Sequence, residues 1–224
     1  MFSYPKQSEF NRVVPKTKIY AHARISKRVK ELFVSQVGQI IWKYKLSPET
    51  INLPARNGIR EIQVFDVHLK TSEIDDAVLV TIDKAIPFPL VFQLIYGEAM
   101  HSEVSFKRPS EVNLSKWVIE ARFRSGPHPL KTNNNELPVA LDLASLYEQI
   151  IRRHIPIPAR EGESLADHVS RFASLEAKQQ ARQQLEARLP KEKQFNRKVE
   201  MNAATRSLMA EIERIQSCPG KTSA

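Results

Sequence analysis

Cysteine is all but absent: Cys218 is the only one in 224 residues, which excludes a disulfide framework and a cysteine-rich zinc site. No apolar run approaches the length needed to span a bilayer. The start, MFSYPKQSEF, lacks the apolar centre of a signal peptide, so the expected compartment is the cytoplasm and no membrane partner is expected. Phosphate loops, GxGxxG turns and nucleophile elbows are also missing, which argues against NTPase, dinucleotide-dependent and α/β-hydrolase chemistry. The six histidines (His22, His68, His101, His128, His154, His168) show no zinc-ligand spacing, and neither metal nor cofactor is expected. The most informative scarcity is acidic. Residues 1–60 hold no Asp and three Glu against twelve Lys and Arg, a net +9, while residues 61–224 balance. The whole excess charge of the chain therefore sits in its first quarter.

What is present centres on Glu61 to Arg124. Glu61 to Leu69 (EIQVFDVHL) is short, rich in β-formers and apolar on both faces, as befits a central strand. Ser72 with Asp75 has the pattern of a capping box, and Ile74, Val78, Ile82 and Ala85 recur at helical spacing. Pro87 and Pro89 end that helix and force an extended entry into a strand over Leu90 to Tyr96. A turn at Gly97-Glu98 predicts a hairpin partner over Ala99 to Lys107, and Lys116 to Arg124 reads as a fourth strand.

Ahead of this block, Met1 to Ala23 reads as an irregular arm packed through Phe10, Val13, Val14, Ile19 and Tyr20. A helix is predicted from Ser26 to near Gly38, then a short strand in which Trp42 and Tyr44 share one face with Lys43 and Lys45 on the other. Pro48 and Pro54 mark a loop, and Asn57-Gly58 is a strong hairpin signal. Beyond the fourth strand, SGPHPLKTNNNELP reads as a surface connection and Asp142 as the cap of a helix through Ile151, with Arg152, Arg153 and His154 suiting its C-terminal end. After Gly162, Ser164 with Asp167 opens a helical region with sparse apolar stripes. Pro190 is expected to kink it or fold it back.

These readings predict an α+β domain over residues 1–160, with a mainly antiparallel sheet of four to five strands and packed helices. A coiled-coil-like helical arm follows over 161–217, and a disordered tail over 218–224.

Several strings together carry a resemblance: Tyr4-Pro5-Lys6-Gln7, Val14-Pro15-Lys16-Thr17-Lys18-Ile19-Tyr20, Trp42 to Asn52 (WKYKLSPETIN), Asp83 to Pro89 (DKAIPFP), Lys107-Arg108-Pro109-Ser110 and Lys193 to Lys198 (KQFNRK). They look like a bacterial and archaeal family known only as a domain of unknown function. Its members tend to be encoded beside helicases and DNA methyltransferases of restriction and phage-defence clusters. The resemblance covers nearly the whole chain and implies an accessory role with such a helicase or methyltransferase as partner. It brings no catalytic residues.

Two sets of residues are candidates for function. The basic set is Lys16, Lys18, Arg24, Lys27, Arg28, Lys30, Lys43 and Lys45, which on one face would line a groove for phosphate backbone, with Tyr20, Trp42 or Tyr44 against a base. Against this stands a buried Trp42 with only the lysines exposed. The second set is Asp66, His68 and Lys70 on the central strand. With Glu61, Glu103 or Glu120, they would form a metal-dependent nuclease site. The structural alternative has Asp66 and His68 hydrogen-bonded beneath a helix or facing solvent.

The expectation is a non-catalytic accessory protein that binds DNA or RNA through its basic start and a protein partner, or a second copy, through the helical arm. The alternatives are the nuclease and a pure scaffold.

Overall fold

The computed structural model describes residues 2–23, 25–109, 117–130 and 135–217. It divides into two compact units, Met1–His154 and Ile155–Ala224. Arg24, Lys116, Ser110, Cys218 and the tail expected over 218–224 lie outside the described residues.

The first unit contains strands β1 (Phe2–Ser3), β2 (Glu9–Val13), β3 (Val37–Leu46), β4 (Ile62–Leu69), β5 (Leu90–Tyr96), β6 (Ala99–Pro109), β7 (Trp117–Pro129) and β8 (Asn135–Glu136). Its helices are α1 (Lys16–His22), α2 (Lys27–Gln36), α3 (Pro48–Ile51), α4 (Asp76–Ala85) and α5 (Leu143–His154). Strands β2 to β7 form one six-stranded sheet in sequence order, and β1 pairs with β8 in a separate parallel ladder. Neighbours in the large sheet are antiparallel except β4 and β5, which run parallel with α4 as the crossover that a parallel pair requires. The class is α+β as expected, with one strand more than the four to five read from sequence.

The additional strand is β2, and with α1 it corrects the reading of the N-terminal stretch as irregular. Arg12 pairs with Trp42 and Val13 with Ile41, so the stretch forms one edge of the sheet. Three further local corrections concern α4, the loop at Pro48 and β3. Helix α4 is capped by Asp75, whose side chain accepts from the Ala77 amide, while Ser72 lies before the helix. The side-chain oxygen of Gln36 accepts from the Asp75 amide at 2.8 Å and fixes that approach. The loop at Pro48 is a one-turn helix with a reciprocal Ser47/Thr50 box. Strand β3 starts immediately after α2 and spans ten residues. Elsewhere the local signals hold. Asn57 (φ 51°) and Gly58 (φ 78°) form the predicted tight turn, and Asp142 caps α5 by accepting from the Ser145 amide at 2.7 Å.

Residues alternate across the central strand. One face carries Phe65 and Val67, continued by Phe92 and Leu94 on β5, and packs against Ile19 of α1, Phe33 of α2, and Val78 and Ile82 of α4. The other face carries Val64 and Asp66, in register with Val91 and Gln93. Ser102 lies beside Gln93 and meets α5, its hydroxyl 2.8 Å from His154 Nε2. His154 Nδ1 lies 2.8 Å from the Ile150 carbonyl, which can only accept, so Nδ1 holds the proton and Nε2 accepts from Ser102.

The second unit is a helical hairpin, α6 (Leu165–Arg188) and α7 (Phe195–Gln216), joined by a 3₁₀ turn over Leu189–Lys191 that contains Pro190. Ser164 caps α6 by accepting from the Asp167 amide. Few helical side chains are buried here: His168 and Leu175 on α6, Ile212 on α7. Polar ties hold the pair, with Lys178 bonded to Glu211 and Arg171 bonded to Glu163 (2.6 Å) and to the Ile215 carbonyl (3.2 Å). No helix among the described residues is long and apolar enough to cross a membrane.

Candidate nucleic-acid interface

The basic N-terminal segment builds one side of a cleft of about 340 Å³ on the helix-bearing face of the sheet. Strand β2 contributes Phe10 and Arg12, α1 contributes Lys18 and His22, and β3 contributes Trp42. Gln63 and Phe65 of β4 and the segment after α4, Ala85 to Phe88, complete the lining. The Trp42 ring lies 4.2 Å from Phe10, tilted by 45°, and stacks on Phe65 at 6.0 Å. Its indole N–H donates to the Tyr44 carbonyl at 3.0 Å, so the ring is fixed. The guanidinium of Arg12 sits over the Phe10 ring, 4.4 Å from its centroid. The cleft thus combines aromatic lining with cations at the rim.

One wall is held in place by a buried ion pair. Lys107 Nζ lies 2.6 Å from the Asp83 carboxylate and donates to the carbonyls of Asp83 (2.8 Å), Ile86 (3.2 Å) and Phe88 (2.9 Å). The Asp83 and Lys107 side chains are 0% and 1% exposed, and Ser105 donates its hydroxyl to the same carboxylate. Burial pulls the Lys107 pKa down, and the Asp83 carboxylate opposes that shift. The Asp83 carbonyl lies in the last turn of α4 and that of Ile86 at its C-cap, so Lys107 both balances Asp83 and caps the helix terminus, while its bond to Phe88 ties down the segment beyond. Through Lys107 the DKAIPFP and KRP strings are joined in the fold.

The basic candidates are used in different ways. Lys16 donates to the carbonyls of Phe33 (3.0 Å) and Val37, and Lys70 to that of Val34 (2.8 Å), so both occupy the negative end of α2, whose own last turn has no basic residue. Burial, then the nearby Lys70, lowers the Lys16 pKa. Lys18, Lys27, Arg28 and Lys30 are exposed. Arg28 approaches Asp75 at 3.8 Å, and Lys30 lies 6.0 Å from the Tyr20 ring centroid. Lys45 pairs with Glu61 at 3.2 Å. Strand β3 has a register shift between Trp42 and Tyr44: Trp42 faces Phe65 across the ladder and Tyr44 faces Val64. Neighbouring residues of β4 point to opposite sides, so this bulge at Lys43 separates the two aromatics that simple alternation had placed on one face. Tyr44 instead stacks on Tyr4 at 4.6 Å.

The nuclease candidates are not assembled. Asp66 is buried, burial raises its pKa against the pull of Lys43 and His68, and its Oδ1 has no hydrogen-bond partner among the described residues. Lys70 is engaged on α2, Glu61 on Lys45, and Glu120 on Arg108. Glu103 sits on the opposite sheet face, bound by Arg124 at 2.7 Å and approached by Arg122 at 3.4 Å. Among the described residues, no group of three or more His, Cys, Asp or Glu is placed to hold a metal ion.

Of the cleft residues, sequence reasoning placed Lys18 and Trp42 in the candidate interface and missed Arg12, His22, Gln63, Phe65 and the segment Ala85 to Phe88. The signal for Arg12 was its place two residues after Phe10, obscured by Asn11 in a left-handed conformation (φ 48°) and by neighbouring prolines. No curated protein and no solved structure matches the chain. Residues 2–212 match the sequence model of a family described as a domain of unknown function, and the chain belongs to that family, DUF4391.

Proposed function

We propose that this protein is a non-catalytic accessory component of a DNA-modification or phage-defence system. It binds nucleic acid through the face built from β2, α1 and α2, and binds a protein partner, a helicase or DNA methyltransferase, through the α6–α7 hairpin. The observation that carries the reading is the aromatic cleft rimmed by Arg12, Lys18 and His22; α2 adds Lys27, Arg28 and Lys30, all exposed. Cations supply sequence-independent affinity for phosphates, and aromatic lining suits bases. For the hairpin, support comes from α7, where Phe195 (77% exposed), Val199 (48%) and Met209 (47%) leave apolar surface uncovered.

The test is binding of the full-length chain to DNA and RNA across a salt series. Affinity falls steeply with salt, and reversing Lys18, Lys27, Arg28 and Lys30 to Glu flattens the log–log slope by roughly 3. Salt-independent binding, or a slope unchanged in the variant, rejects the nucleic-acid half. Pull-downs from native cells with nuclease present test the other half: the partner is retained by the wild type and lost with Phe195→Glu/Val199→Glu. The nuclease reading keeps one supporting observation, the unpartnered Oδ1 of buried Asp66. It requires metal-dependent cleavage that disappears in Asp66→Asn.

A further inference from the structure

The cleft at Phe10 and Trp42 has features that phosphate attraction alone does not need. Phe10 lies on edge strand β2, half-buried, with one neighbour the fixed Trp42 ring at 4.2 Å and another the guanidinium of Arg12 at 4.4 Å. A guanidinium is planar and cationic and stacks on aromatic faces much as a base does. Arg12 is exposed and forms no ion pair among the described residues; it rests on the Phe10 ring. If it swings to a phosphate, the Phe10 face opens. Lys18 stands at the same rim, and Gln63, buried and with its Nε2 donating to Glu61, is part of the lining. The volume of about 340 Å³ is at the lower end of the range for small-ligand sites, suited to one nucleotide and not to a duplex.

We propose that this cleft receives one unstacked base of a single-stranded segment, stacked on Phe10 in the place that Arg12 occupies, with Arg12 and Lys18 on the flanking phosphates. The inference rests on the nucleic-acid reading above and narrows its ligand to single strands. A base within a duplex cannot reach such a cleft without being unpaired. A free mononucleotide offers the same ring and phosphate, so the experiment separates the two sources.

The experiment uses the full-length chain with Trp117→Phe, which leaves Trp42 as the sole tryptophan. The probes are an oligothymidine about twelve nucleotides long, a blunt duplex of equal length and thymidine monophosphate, all at one salt concentration. Expected are quenching of Trp42 emission by the oligomer, affinity for it about tenfold above that for the duplex, and about tenfold loss in Phe10→Leu with the duplex affected less than twofold. Lys18→Glu, an exposed change that leaves the core untouched, weakens the oligomer about threefold and confirms the rim independently of Phe10. Trp42 emission that does not move, with Phe10→Leu and wild type binding alike, overturns the cleft while leaving salt-dependent nucleic-acid binding standing. Mononucleotide bound as tightly as the oligomer overturns the strand as ligand. Binding to none of the probes rejects the cleft and the nucleic-acid reading together.

Discussion

The two units solve the problem of holding helices in opposite ways. In Met1–His154, helices lie on a sheet whose central strands are buried on both faces, and several polar groups inside have partners across elements, as Lys107 with Asp83 and Ser102 with His154. In the α6–α7 hairpin few helical side chains are buried, and long cationic side chains tie one helix to the next. Apolar burial is worth roughly 1.5–3 kcal/mol for each large side chain, whereas exposed ion pairs contribute about 0–1 kcal/mol. The first unit is therefore expected to be stable in its own contacts. The hairpin depends on a handful of charged anchors and has apolar surface to give to another chain. The two tryptophans, Trp42 and Trp117, are both in the first unit, so indole fluorescence reports that unit while far-ultraviolet dichroism reports the helices of both.

The largest break in this contrast comes from Lys107→Met, which leaves Asp83 charged and unpaired in the core. Urea unfolding followed by fluorescence should lose about 3–5 kcal/mol, and adding Asp83→Leu should restore part of it. Arg171→Ala comes next. It removes an ion pair with Glu163 whose side chains are 9% and 8% exposed, along with bonds to the Pro158 and Ile215 carbonyls. A loss of about 2 kcal/mol in the dichroism transition, with the fluorescence transition unmoved, is expected.

Acid sharpens the comparison through the sign of each shift. The Arg171 guanidinium holds the Glu163 carboxyl down at about 2, so its stabilisation is complete above the ordinary value of 4.5 and is lost as pH falls toward 2. Burial pulls His154 below its ordinary 6.5, against the bond to Ile150, so its neutral form stabilises the fold above 6.5 and that contribution declines as pH drops below it. Measured as wild type against His154→Gln and against Glu163→Gln, the first difference shrinks with acid starting near pH 6.5 and the second only below about pH 4.5. The smallest effect belongs to Lys178→Ala: the side chains of this pair are 29% and 34% exposed, and its loss should cost under about 1 kcal/mol and vanish in high salt.

Sequence patterning carried the centre of the fold and lost its edge. The block from Ile62 to Tyr96 is legible because doubly buried strands read as continuous apolar runs and Pro87 and Pro89 punctuate them. Strand β2 is not, because an edge strand needs little apolar content and Pro5 and Pro15 flank it. The bulge at Lys43 escapes any reading of β3 alone, since the register is set jointly with β4. The basic set was legible as composition. Its division into Lys16, engaged on the end of α2 beside Lys70 of the other set, and the cations left at the surface depends on where a distant helix terminus falls. The cleft draws on Phe10, Lys18, Trp42, Gln63 and Phe88 from separate stretches, and no window of sequence contains it.

The tether of Lys107 onto the Ile86 and Phe88 carbonyls has a consequence for how a ligand would be met. A wall braced from strand β6 cannot close over an arriving molecule without breaking the Lys107 bonds to those two carbonyls, so a ligand of the kind proposed would meet a preformed cleft. Association then avoids the entropy of ordering a loop, and its speed is governed by charge steering toward the rim.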